Sequence, residues 1–163
     1  MKTMMIAVAL LLGYVGISIA FEVDGFKSGM VTQEAHRLLE THSYGKLEIK
    51  EDRIIAWDYG EKDYNRFINL GFCEGKLVQI EKHVKARFDY FTRLVDEKTR
   101  ELGKPMNAWS RPAKIASNVE SNSIVFLWKD GSTFVIVEYT EFASNNQLAI
   151  TYETDNKCWK TPY

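Results

Sequence analysis

Two cysteines are the residues of this chain with the most restricted chemistry, and both, Cys73 and Cys158, lie far from the N-terminus. A lone pair of thiols in an exported protein is most simply a disulfide. Bridging them would close a long loop and tie the C-terminal tail to the middle of the chain. By loop entropy such a bridge is worth about 4–5 kcal/mol before native strain is subtracted. Two free thiols or half a zinc site are the rival reading, but the chain has no CxxC and only His36, His42 and His83 to complete such a site.

The histidines do not form a base or ligand set by spacing. His36 and His42 are further apart than the three or four residues that align side chains on one helix face, and His83 falls near the end of a strand-like run. No Gly-x-Ser-x-Gly, His-Glu-x-x-His or glycine-rich phosphate loop occurs. Carboxylates such as Glu97 and Glu101 share their segment with Arg93, Lys98 and Arg100, the mixed charge of a solvated face. The expectation is a non-enzymatic protein with no cofactor and no metal.

Aromatic and basic groups are the better candidates for contact. Trp57 with Tyr59, Trp109 with Arg111, and Trp128 are the residues expected to meet a partner. Ile124, Phe126 and Trp128 alternate with Val125 and Leu127, and Phe134 and Ile136 with Val135, Val137 and Tyr139. A sheet wet on one side should alternate apolar with polar residues. Here both faces are apolar, so both are covered. The other half of the chain or a long loop would be the structural cover; a partner protein or a homodimer mate would be the functional one.

The elements that must position these residues follow from periodicity. Phe88, Phe91, Leu94, Val95 and Leu102 fall on one helical stripe, closed by Gly103-Lys104-Pro105. Strand-like runs Ser123–Trp128 and Ser132–Tyr139 meet at Lys129-Asp130-Gly131, and Gln147–Thr154 supplies a third. Earlier, Thr32 reads as the N-cap of a short helix over Gln33–Glu40. Lys46–Lys50, Arg53–Tyr59, Phe67–Cys73 and Leu77–Lys82 then read as one antiparallel meander, with Glu74-Gly75 as a turn. Met106–Asn122 shows little period and reads as a long loop or as a hidden short strand at Ala108–Ser110 or Ala113–Ala116.

Helix, strands, helix, strands is the order expected, in an α+β fold with helices packed on an antiparallel sheet. The two halves, about 25–83 and 86–154, look like loose copies of one design within a single domain over 21–163. A doubly wound parallel sheet would need a helix between successive strands, and none fits.

Met1-Lys2-Thr3, the apolar Met4–Val15 and the small-x-small Ser18-Ile19-Ala20 have the form of a signal peptide over residues 1–20, cleaved after Ala20. The expected location is periplasmic or secreted, with no transmembrane segment once the signal is removed. A hydrophobic fraction of 45% is that of a folded domain, not of a disordered tail. The formal charge of −1, with both signs spread along the chain, argues against nucleic acid as partner.

Gly25-Phe26-Lys27-Ser28-Gly29-Met30-Val31-Thr32-Gln33-Glu34-Ala35 resembles the G-x-x-x-G-M-T-x-x-x-A opening of the SmpA/OmlA proteins. Phe91 to Pro105, as F-x-x-L followed later by L-G-K-P, is similar to exported domains of the β-lactamase-inhibitor-like fold. The resemblance implies helices set against an antiparallel sheet and a role beside the outer-membrane assembly machinery. This chain has no lipobox cysteine near the cleavage site. The function expected is an exported protein-binding module, such as a periplasmic envelope-assembly accessory or a hydrolase inhibitor, with a protein partner in the cell envelope. A carrier of a small hydrophobic ligand, held between helix and sheet, is the alternative.

Overall fold

A computed structural model describes residues 20–58, 66–116, 119–142 and 145–160. After a small hairpin of β1 (Glu22–Val23) and β2 (Phe26–Lys27), the chain forms α1 (Thr32–Thr41) and a meander of β3 (Lys46–Ile49), β4 (Arg53–Trp57), β5 (Phe67–Cys73) and β6 (Lys76–Val84). It then forms α2 (Phe88–Leu102) and a second meander of β7 (Asn107–Ala116), β8 (Val119–Asp130), β9 (Thr133–Phe142) and β10 (Asn146–Thr154). The meanders join along β6 and β10 into one antiparallel eight-stranded sheet of order β3-β4-β5-β6-β10-β9-β8-β7. Each half of the sheet thus places its last strand at the centre and its first at an edge.

Turn chemistry fixes the first meander locally. Cys73 and Lys76 are register partners, and Glu74 and Gly75 between them have φ of 50° and 71°. Two successive positive φ values make the primed two-residue turn whose twist suits a hairpin. Glycine at the second position takes that geometry without a Cβ clash.

Both helices lie on the same face. Ile80 on β6 and Tyr152 on β10 are cross-strand partners and therefore share a face. Ile80 packs in a cluster with Ala35 and Leu39 of α1, Ile54, Ala56, Ile68, Leu70, Phe72 and Leu77. Tyr152 touches that cluster and also the second one, where Phe91 and Leu94 of α2 meet Trp128, Val135, Val137, Tyr139 and Leu148. The α2 stripe faces the sheet as its spacing predicts, with Val95 and Leu102 half-buried and Arg93, Glu97, Arg100 and Glu101 in water. Phe88 lies at the rim of the stripe, 53% exposed, with its ring edge against Tyr139.

Three expectations are corrected. Among the described residues the fold is mainly β, 53% strand against 20% helix, so helices packed on a sheet understates the strands. The main cause is the stretch read as aperiodic, which is the ten-residue strand β7 and the first residues of β8, paired from Asn107↔Leu127 to Ala116↔Val119. Pro112 hid it. A residue without an N–H interrupts a strand pattern, yet an edge strand accepts it because one side of its backbone needs no partner. The third correction is the start of α1. Its N-cap is Val31, with no side-chain cap, and Thr32 is already helical. Pairing with β6 organises that end instead: Gly29 donates to Leu77 O (2.8 Å), Leu77 donates to Met30 O (2.8 Å) and Val31 bridges Lys76.

The Cys73–Cys158 disulfide forms as expected, with the two Cα atoms 5.6 Å apart. Among the described residues no helix is long and apolar enough to cross a membrane.

Candidate binding surface

Strand alternation sends the remaining side chains to the face that, among the described residues, carries no helix. From β4 come Arg53, Ile55 and Trp57, in register with Gly71, Asn69 and Phe67 of β5. Those residues pair onward with Gln79, Glu81 and His83 of β6. Across the central seam lie Ala149, Thr151 and Glu153 of β10, then Phe134, Ile136, Glu138 and Thr140 of β9. Val125, Leu127 and Ser123 of β8 and Trp109 and Arg111 of β7 complete the row.

The two ends of this open face differ. On β8 and β9, Val125, Leu127 and Ile136 are buried to 3% exposure or less although, among the described residues, no helix lies above them. Half-buried Trp109 and Phe134 pack against them, and the Lys129 ammonium sits 4.7 Å above the Phe134 ring. The other half lies beside this one in the same sheet and does not lie over them. Among the described residues, large side chains of the same face pack over them.

The middle is polar and recessed. Ala149 is in register with His83 on one side and Glu138 on the other, and its short side chain leaves a depression of about 380 Å³. Glu81 and His83 form one wall; Arg111, Ser123, Glu138 and Thr140 form the other. Arg111 donates to Glu138 at 3.1 Å, and the Ser123 and Thr140 hydroxyls bond at 2.8 Å. On the first wall Glu81 accepts from His83 Nε2 (3.1 Å) and Asn69 Nδ2 (3.3 Å), and the imidazole stacks on Phe67 with ring centroids 4.3 Å apart. Burial of Glu81 opposes its ionisation, but these hydrogen bonds, with the charges of His83 and Arg53, outweigh it and hold the carboxyl below the usual glutamate range. His83 is committed to Glu81 and Ser123 to Thr140, so imidazole and hydroxyl are not joined as base and nucleophile.

The C-terminal tail closes one end of the open face. Asn156 Oδ1 accepts from the backbone N–H of Cys158 and Trp159, which turns the tail back toward the sheet. Trp159 Nε1 donates to Glu153 at 3.1 Å, and Gln79 donates to the other oxygen of that buried carboxylate at 2.8 Å. The indole rests over Gly71, where an added Cβ would stand 3.2 Å from the ring. Glycine is what lets the tail lie this close.

Of the residues expected to make contact, Trp57, Trp109 and Arg111 lie on the open face, Trp57 at one end and the β7 pair at the other. Tyr59 lies outside the described residues. Trp128 is corrected: it is 1% exposed under α2, its Nε1 donating to Gly103 O at 3.1 Å, and it has no surface to offer a partner. The polar centre of Glu81, His83 and Glu138 was missed. Its signal was the period-two row Gln79-Glu81-His83, legible once β6 is known to be central.

Comparison of the chain with protein-family models, with curated proteins and with solved structures gives no match.

Proposed function

We propose that this chain is an exported, non-enzymatic protein-binding module that works in the periplasm or outside the cell and receives its partner on the open face of the sheet. An envelope-assembly accessory and a hydrolase inhibitor are the two roles that fit. The observation that carries the reading is the placement of both helices on one side. That leaves a broad sheet face where half-exposed Trp57 and Trp109 flank a depression bearing Glu81, Glu138 and Arg111. Aromatic groups at the rim and fixed charges at the centre are what a protein interface uses for area and for register. Packing beneath the helices favours this reading over a ligand carrier. The space between helix and sheet is filled by Phe91, Leu94, Trp128 and Tyr139 on one side and by Ala35, Leu39, Leu70 and Phe72 on the other.

Export fits the same reading. Phe21, the first residue after the expected cleavage site, is buried and its ring stands 6.5 Å from that of Tyr152. A disulfide joining β5 to the tail also suits an oxidising compartment.

The test is capture from an envelope extract by the wild-type chain and by two variants. Arg111→Glu reverses a charge at the rim of the depression, and Glu97→Lys does so on the solvent side of α2. A partner retained by wild type and by Glu97→Lys but lost with Arg111→Glu is expected. Equal capture by all three would overturn the open face as the site.

A further inference from the structure

The sheet has two edges, and they are guarded differently. β7 carries Pro112 and Arg111, residue types that discourage a further strand. β3, at the other edge, is the four-residue strand Lys46-Leu47-Glu48-Ile49, exposed at every position. Leu47 and Ile49 are 40% and 56% exposed, and both lie on the helix side of the sheet. We infer that β3 pairs with β3 of a second copy of this chain, antiparallel and about a two-fold axis through Leu47.

Two properties of the strand bear on that register: its peptide direction limits the axes, and its charge selects one of them. The first is the direction of its peptide groups. Lys50 donates its N–H to Arg53 O at 2.8 Å, so peptide groups at every second residue from there, Glu48 and Lys46, turn toward β4. Those of Leu47 and Ile49 therefore turn outward. With the axis at Leu47, the two Leu47 residues exchange a pair of N–H···O bonds, and Ile49 of each copy donates to Gly45 O of the other. The Gly45 N–H is already held by Asp58 and is not needed.

The second is charge. The same register places Lys46 of each copy directly opposite Glu48 of the other, on the open-face side, where opposite charges favour pairing. Glu48 also meets Lys50 of its own strand at 3.1 Å, an exposed contact that a cross-strand partner can share. Moving the axis to Glu48 would set Glu48 against Glu48 and Lys46 against Lys50, and moving it by half that step would put apolar residues opposite charged ones on the wrong faces. The hydrogen-bond phase admits an axis at Leu47 or at Glu48, and the charge pattern selects Leu47. Leu47 meets its own copy on the helix side, which removes exposed apolar surface from water. The axis is perpendicular to the sheet, so the eight strands of each copy become one continuous sheet whose open faces point the same way.

Sedimentation velocity on the purified protein over a concentration series is the test, with circular dichroism to verify that each variant folds. Wild type is expected to show a reversible monomer–dimer equilibrium. Lys46→Glu alone and Glu48→Lys alone each turn two attractive pairs into repulsive ones and should loosen the dimer roughly tenfold. The double variant exchanges the charges across the axis and should recover the wild-type dissociation constant. A wild-type chain that stays monomeric at the highest soluble concentration overturns the inference. So does a dimer that the single reversals leave unchanged, or one that the double exchange fails to restore.

Discussion

The two faces of this sheet are built from the same strands by the same alternation, and they do opposite things. On β9 the residues Val135, Val137 and Tyr139 disappear under α2, while Ile136, Glu138 and Thr140 point away from it. Under the helices the contacts are aliphatic and aromatic and serve stability. On the open face, polar groups are held by one another, Arg111 by Glu138 and His83 by Glu81, with apolar residues gathered at the β8–β9 end. Such pairs contribute little to folding when exposed but set position and sign for a partner. Burial alone does not distinguish the two faces. The arrangement of polar groups that are bonded yet still reachable does, and it is what the proposed binding rests on.

The comparison breaks first on the covered face. Truncating Phe91 to Ala removes a ring that is 3% exposed and should cost about 3–5 kcal/mol in chemical denaturation. Reversing Glu97, on the solvent side of the same helix, should change stability by less than about 0.5 kcal/mol. Comparable losses from the two would mean that α2 does not face the sheet through its apolar stripe.

Next in size is the staple at the edge of the open face. Replacing both Cys73 and Cys158 by Ser should cost about 2–4 kcal/mol, since the two helix-facing clusters remain. The same change should free the tail, read as a rise in solvent quenching of Trp159 fluorescence in a variant from which the other tryptophans have been removed. Unchanged stability would remove the disulfide from the account of the fold.

The smallest effect sharpens the polar centre. Glu81 is held below the usual glutamate range, chiefly by hydrogen bonds from His83 and Asn69 that outweigh its desolvation. Its folded pKa is thus lower than its unfolded one, and its contribution is present above the unfolded value and lost as pH falls from there through the folded value. Glu81→Gln should show a shallower loss of stability than wild type over that acid window, measured as denaturation midpoint against pH. Parallel curves would mean that the carboxylate is not anchored as described.

Much of this fold is legible in the sequence where a pattern is both periodic and punctuated. α2 is announced by Phe91, Leu94 and Leu102 and ended by Gly103, and the hairpins at Glu74-Gly75 and Gly131 are announced by their turns. The cysteine pairing is legible because only one pair exists. β7 as a whole is not, only short pieces on either side of Pro112, because the proline interrupts it and because an edge strand lacks the double-sided burial that makes a strong pattern. Nor is the face of Trp128. Alternation separates it from Leu127 but cannot say which of two apolar faces the helix covers, and only the packing of α2 decides that. The polar centre was hidden for a related reason. Its members sit on strands far apart in sequence and meet only when β6 and β10 form the seam.

The most direct test of the central claim, that the open face is the one that binds, is site-specific photo-crosslinking in the intact cell envelope. A photoreactive phenylalanine analogue is placed at Trp109, on the open face, and in a separate chain at Phe88, exposed at the start of α2. A discrete cross-linked product with another protein from position 109, and none from position 88, is the predicted result. Cross-linking from position 88 with none from 109 would contradict it and move the interface to the helix side.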